Sequence, residues 1–235
     1  YFINYQIKSI FTIDVCVFFK VWPQGVVLSM PRYDKVKYIS LMLVIYASSY
    51  ILIQAFITTH EFDLITEFDN AIPFMPQHIW IYHSILPVIF LTMLSLVQTR
   101  TVFFTTFWAC AIATVVLNVS YLCFPSFYPR PEFEVETVSE AVLWLTRKID
   151  GSHNTFPSGH VTFAWIMFLG ACRTELATKV EGIKSLYLLW AIGLALSTLT
   201  LKQHYLVDVL SGIILALASF YISSLLIRSR ARAKT

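Results

Sequence analysis

The chain has 235 residues, 57% of them hydrophobic and 13% charged, with a formal net charge of +3 and a mean hydropathy of +0.68. So low a charged fraction, against about 25% in soluble domains, excludes a water-soluble globule, and uninterrupted apolar runs exclude the alternating pattern of a transmembrane β-barrel. Lipid offers the backbone no hydrogen-bond partners, so the spans must be helices and the expected fold class is all-α, a polytopic membrane bundle.

Residues 1–35 are expected to form an N-terminal interfacial segment. Ile3, Ile7, Ile10, Phe11, Val17, Phe18 and Val21 fall mainly on one helical face, while Asp14 at mid-bilayer would cost roughly 2.5–3.5 kcal/mol. The chain begins at Tyr1, which leaves a preceding targeting segment open. Residues 38–59 carry no charge and give about 33 Å of helix, enough for a ~30 Å hydrocarbon core. Further spans are expected at 79–99, 101–124, 157–176, 185–201 and 205–227, the second and third divided only by Arg100. The expectation is one membrane domain over 1–235, with a six-span catalytic core at 36–227 and a basic tail at 228–235.

Between spans 3 and 4, Thr137 and Glu140 have the spacing of a capping box, and Val138, Val142, Leu145 and Ile149 repeat at helical intervals. This predicts a short amphipathic surface helix. Six spans put thirteen of the 17 Lys and Arg residues on one side and only Arg130, Arg147, Lys148 and Lys202 on the other. The first side is then cytoplasmic, together with both termini. The 3–4 connection and the 5–6 turn would face the periplasm or exterior.

Three polar islands fall on that outer side: Phe124 to Pro131, Phe156 to His160, and Lys202 to Asp208. Asn154-Thr155-Phe156-Pro157-Ser158-Gly159-His160 precedes an apolar run and reads as a helix start. Pro157 suits the first helical position, and the amides of Ser158 and Gly159 would hold an anion at the positive end of the helix dipole. His160 would stand beside that anion. His204 and Asp208 are four apart and share a helical face, so a carboxylate on one ring nitrogen would leave the other free to attack. Asp208 also heads an apolar span, where ionisable groups usually serve function. His60, His78, His83 and His153 lie on the same side without metal-ligand spacing, and Cys16, Cys110, Cys123 and Cys172 form neither a disulfide framework nor a metal pattern.

Phe156-Pro157-Ser158-Gly159-His160, with Ser197-Thr198 and His204-Tyr205-Leu206-Val207-Asp208, resembles the type 2 phosphatidic acid phosphatase superfamily of membrane lipid phosphatases and phosphotransferases. The likeness covers the six-span layout from about residue 38 to 227, and Asp69 to Pro76 is similar to the first outer loop of many bacterial members. The resemblance implies that His204 attacks phosphorus and is transiently phosphorylated, that Asp208 orients it, and that His160 handles the leaving-group and acceptor protons. Ser158, Gly159 and Arg130 would bind phosphate. No metal or cofactor is implied.

Two positions depart from the family pattern. Cys123 stands where the first motif has a lysine, seven residues before Arg130, and Thr198 stands where the third motif has an arginine after its serine. Lys202 is the candidate replacement. The losses resemble the inositol-phosphorylceramide-synthase-like branch, which moves a phospho-headgroup to an alcohol. Lipid-phosphate phosphatase of a bacterial inner membrane is therefore the leading expectation, with phosphotransferase second. A non-catalytic transporter or scaffold is third, and it would not need His160, His204 and Asp208 together. Expected partners are a lipid phosphate and membrane lipids, with no nucleic acid and oligomeric state open.

Overall fold

A computed structural model describes residues 29–57, 62–180 and 182–232. The expected N-terminal interfacial helix lies outside the described residues, as do His60 and Glu61. The described chain is helical, with isolated bridges such as Phe127 to His153 as its only β contacts. In chain order the elements are α1 (Arg32–Phe56), α2 (Pro76–Ser95), α3 (Arg100–Cys123), α4 (Val138–Ile149), α5 (Gly159–Ala171), α6 (Ile183–Thr200) and α7 (Leu206–Arg232). One-turn helices at Glu67–Ala71 and Glu175–Lys179 lie in the connections.

Five of these, α1, α2, α3, α6 and α7, are long and apolar enough to cross a membrane. Their outward residues, including Val44, Ile51, Val115, Leu189 and Ile214, are exposed apolar surface that only lipid would cover favourably. The chain is an all-α integral membrane bundle.

The expected fourth span is shorter than its apolar run. α5 has 13 residues, about 20 Å of helix, and ends before Thr174, whose hydroxyl accepts from the Ala177 amide and starts a separate turn. It is apolar on every side and therefore sits in the centre, packed by α3, α6 and α7. Phe163, Ile166, Met167 and Phe168 form the middle of the core with Phe103, Leu117 and Phe220.

α2 is broken, contrary to the straight span expected at 79–99. Pro87 supplies no N–H to the His83 carbonyl, and the helix is interrupted at Ser84. At its far end it finishes in a π-helical turn, Thr92–Leu96, where buried Lys35 donates to the carbonyls of Val97 (2.7 Å) and Leu94 (3.2 Å). An ammonium satisfies the carbonyls a helix C-terminus leaves over.

α4 has the expected capping box, Thr137 Oγ1 accepting from the Glu140 amide and Glu140 Oε2 from the Thr137 amide. Only part of its expected stripe packs on the bundle: Val142 does, while Val138, Leu145 and Ile149 stay exposed, and Leu143 plugs the gap between Ile79, Tyr82 and Leu201. Trp80 donates to Ser139, His83 bonds Thr146, and Arg147 donates to the Leu201 carbonyl. These bonds fix α4 across one end of the bundle.

Candidate active site

The turn before α5 is held from all sides. Ser126 Oγ accepts from the Phe156 amide (2.9 Å), Ser120 donates to the Phe156 carbonyl and Tyr121 to the Pro157 carbonyl (both 3.1 Å). Pro157 is not the first helical residue as the sequence suggests. It precedes the N-cap, Ser158, whose hydroxyl accepts from the Val161 amide at 3.4 Å, and the Phe156–Pro157 peptide is cis. Placing the proline one step earlier lets both flanking carbonyls accept from α3.

The Ser158 amide, expected to hold an anion, instead donates to the Asp208 carbonyl at 3.0 Å. The amides of Gly159 and His160 are the ones that α5 leaves over at its N-terminus. Glycine is needed at 159, since a Cβ would meet the Tyr46 hydroxyl at 2.7 Å and that of Tyr121 at 3.3 Å. At Gly212 on α7 the restriction is harder, because a Cβ would lie 2.8 Å from the Ser158 carbonyl oxygen, a backbone atom that cannot rotate away. Gly212→Ala is expected to cost about 1–3 kcal/mol of stability and most of the activity by pushing α7 off the turn. Thermal melting in detergent beside a turnover assay checks this.

His204 is buried where α6 turns into α7. Its Nδ1 lies 2.9 Å from the Thr155 carbonyl and 3.4 Å from Asp208 Oδ2. Both neighbours are acceptors, so Nδ1 carries the proton and Nε2 keeps its lone pair. The expected His204 and Asp208 pair is brought together, but the closer partner is a backbone carbonyl the sequence reading missed. Asp208 Oδ2 also accepts from the Tyr205 amide at 2.9 Å, so the carboxylate helps start α7 as well.

His160 faces His204 with ring centroids 6.4 Å apart. Its ring stacks on Tyr82 at 4.1 Å, and the Tyr82 hydroxyl lies 3.3 Å from Nδ1 and 3.4 Å from Asp150 Oδ2. Tyr50 donates to the other Asp150 oxygen. Asp150, at the C-terminus of α4, thus anchors the neighbourhood of the second histidine.

Arg130 reaches this cluster, but in a different posture from a free phosphate clamp. Its Nη1 and Nη2 donate to the carbonyls of Asp150 and Gly151, and Nη2 lies 3.8 Å from Asp150 Oδ2, while Nε is buried without a partner. Lys202 is not brought to the site. With φ at 54° it turns to the loop between α1 and α2, where Nζ donates to the Asp69 carbonyl at 2.7 Å. Burial pulls that amine below the usual lysine value, with Asp69 opposing. Cys123 is exposed and the Thr198 hydroxyl donates to the Ala195 carbonyl, so neither replaces a cation.

A cavity of about 520 Å³ joins these groups. Its polar end holds His160, His204, Arg130, Asp150, Asn154 and Gln203. Its other limb is apolar, lined by Leu43, Ala47 and Ile51 of α1 and Leu86, Ile89 and Phe90 of α2. Ile51 and Leu86 are also exposed on the outer surface, so this limb opens sideways between the two helices. Among the described residues no three His, Cys, Asp or Glu side chains group as a metal site.

A two-histidine cavity with an apolar side limb narrows the comparison with known proteins. A family model described as the PAP2 superfamily matches residues 110–232, just over half of the chain. The chain belongs to the PAP2 superfamily. As a PAP2 protein with long apolar helices, it is an integral-membrane phosphoric ester hydrolase, a lipid phosphatase whose substrate class is a lipid phosphate. Among solved structures, the crystal structure of Aquifex aeolicus LpxE matches with a TM-score of 0.49 at 17% identity, over 71% of this chain and 98% of that one. No curated protein sequence matches.

Within this PAP2 chain the sequence reading missed Asp150 and Tyr82, which no local motif marks. Asn154, Thr155 and Gln203 lie inside the stretches it singled out but carry no role there.

Proposed function

We propose that the protein dephosphorylates a lipid phosphate through a phosphohistidine on His204. The observation that carries this is the pair of histidines facing each other at the polar end of a cavity whose other limb is apolar and opens sideways. The lipid chain lies between α1 and α2, and the phosphate meets the amides of Gly159 and His160 and the Arg130 guanidinium. Nε2 of His204 attacks phosphorus as the bond to the leaving oxygen breaks, and His160, protonated once the phosphate charge lies beside it, gives that oxygen a proton. His160 then takes a proton from water, which attacks the phosphohistidine and releases phosphate. Thr155 and Asp208 hold the tautomer throughout.

The reading puts the site on the non-cytoplasmic surface of an inner membrane, with both termini cytoplasmic. Its support is the charge asymmetry, since a six-span layout would put thirteen of the 17 Lys and Arg residues on the other side. Residues 36–227 then form the catalytic core and 228–235 a basic tail.

Transfer to an alcohol is the second reading. Among the described residues Arg130 is the one Lys or Arg lining the cavity, so a singly charged phosphodiester meets less uncompensated charge there than a dianionic monoester. One assay separates the two. The detergent-solubilised protein is given a lipid phosphate, and inorganic phosphate is followed with and without candidate alcohols. Hydrolysis predicts phosphate without any alcohol; a new phospholipid with no phosphate would overturn it.

A further inference from the structure

Asn154 and Gln203 are 2% and 1% exposed, and neither the oxygen nor the nitrogen of either amide has a hydrogen-bond partner. Buried amides are nearly always paired, and each can take part in up to four bonds. Both side chains line the polar end of the cavity. Asn154 has φ of 62°, a conformation asparagine tolerates partly through local side-chain bonds, yet its amide makes none. Among the described residues nothing bonds these two groups.

Their chain positions bring them to the reacting atoms. Asn154 directly precedes Thr155, whose carbonyl holds His204 Nδ1, and Gln203 directly precedes His204. The cations that the family pattern would supply are absent, Cys123 facing out and Lys202 engaged at Asp69.

We propose that Asn154 and Gln203 are phosphate-binding residues, uncharged donors that hold the phosphoryl oxygens where this chain lacks cations. The proposal rests on the phosphatase reading above. Fixed amide dipoles in a dry site stabilise an oxyanion without carrying charge, as backbone donors do in an oxyanion hole. Each amide N–H that bonds a phosphoryl oxygen is lost without a local substitute when its side chain is removed.

The test uses the full-length protein in detergent, turning over a lipid phosphate, with orthovanadate as the probe. Asn154→Gly keeps the left-handed backbone and removes the amide; Gln203→Met keeps the volume; Gln203→Glu keeps the shape and adds a negative charge. Each of the first two is expected to weaken vanadate inhibition about tenfold or more and to lower kcat/KM similarly. Melting temperature should stay equal or rise, because an unpaired buried amide contributes no stability. Gln203→Glu is expected to abolish vanadate inhibition. Unchanged inhibition in all three variants overturns the proposal, whether they melt higher, showing idle amides, or lower, showing a structural role. A wild-type protein that releases no phosphate and ignores vanadate overturns the reading beneath it, and this proposal with it.

Discussion

His204→Ala is expected to reduce phosphate release on the order of 10⁴-fold or more while leaving the protein folded. The ring's structural bond is to one carbonyl, Thr155, at 2.9 Å, so removing it costs about 1 kcal/mol of stability. The chemical loss is larger because the other imidazoles lining the cavity are held elsewhere, His160 against Tyr82, His83 at Thr146 and His153 beside Phe127. Asp208→Asn is expected to lose only about 10–100-fold, since the carboxylate is the more distant of the two groups on Nδ1, at 3.4 Å, and the carbonyl still sets the tautomer. Steady-state phosphate release beside a melting curve measures both. His204→Ala activity above 1% of wild type would remove the nucleophile assignment.

His160→Gln should respond differently to a lipid phosphate and a nitrophenyl phosphate. With a lipid alkoxide leaving group, loss of the proton donor is expected to slow turnover by 10²–10⁴-fold. A nitrophenolate needs no proton to leave, so the first step with a nitrophenyl phosphate survives. Hydrolysis of the phosphohistidine still needs His160 to activate water. The variant should then give a burst of nitrophenol equal to the enzyme present, followed by slow turnover. Equal losses with both substrates and no burst would mean that His160 only packs against Tyr82, where the rings stack at 4.1 Å.

Features fixed by local rules were legible in the sequence. The apolar runs gave the helices and the 137 and 140 spacing gave the capping box; His204 and Asp208 do meet at 3.4 Å, but His204 precedes α7 instead of sharing a helical face with Asp208. What was not legible depends on tertiary contacts or on backbone atoms that every residue shares. The Thr155 carbonyl cannot be distinguished from any other carbonyl until the chain is folded. Asp150 acts at the site because α4 is pinned by His83, Trp80 and Leu201, contacts made by residues far apart in sequence. Lys202 carries the charge that Cys123 and Thr198 lack, but its positive φ turns it to the loop between α1 and α2. α5 ends at Ala171, and Arg173, the Thr174 cap and Glu175 mark a stop inside the span expected at 157–176.

The deciding measurement is a rapid quench of the enzyme with a lipid phosphate labelled at phosphorus, followed by mapping of any protein-bound label. The account predicts an acid-labile, alkali-stable phosphoryl group on the peptide containing His204, formed and lost at rates compatible with turnover and absent from His204→Ala. Label on a different residue, or turnover with no label on the protein when His160→Gln blocks the second step, would contradict it.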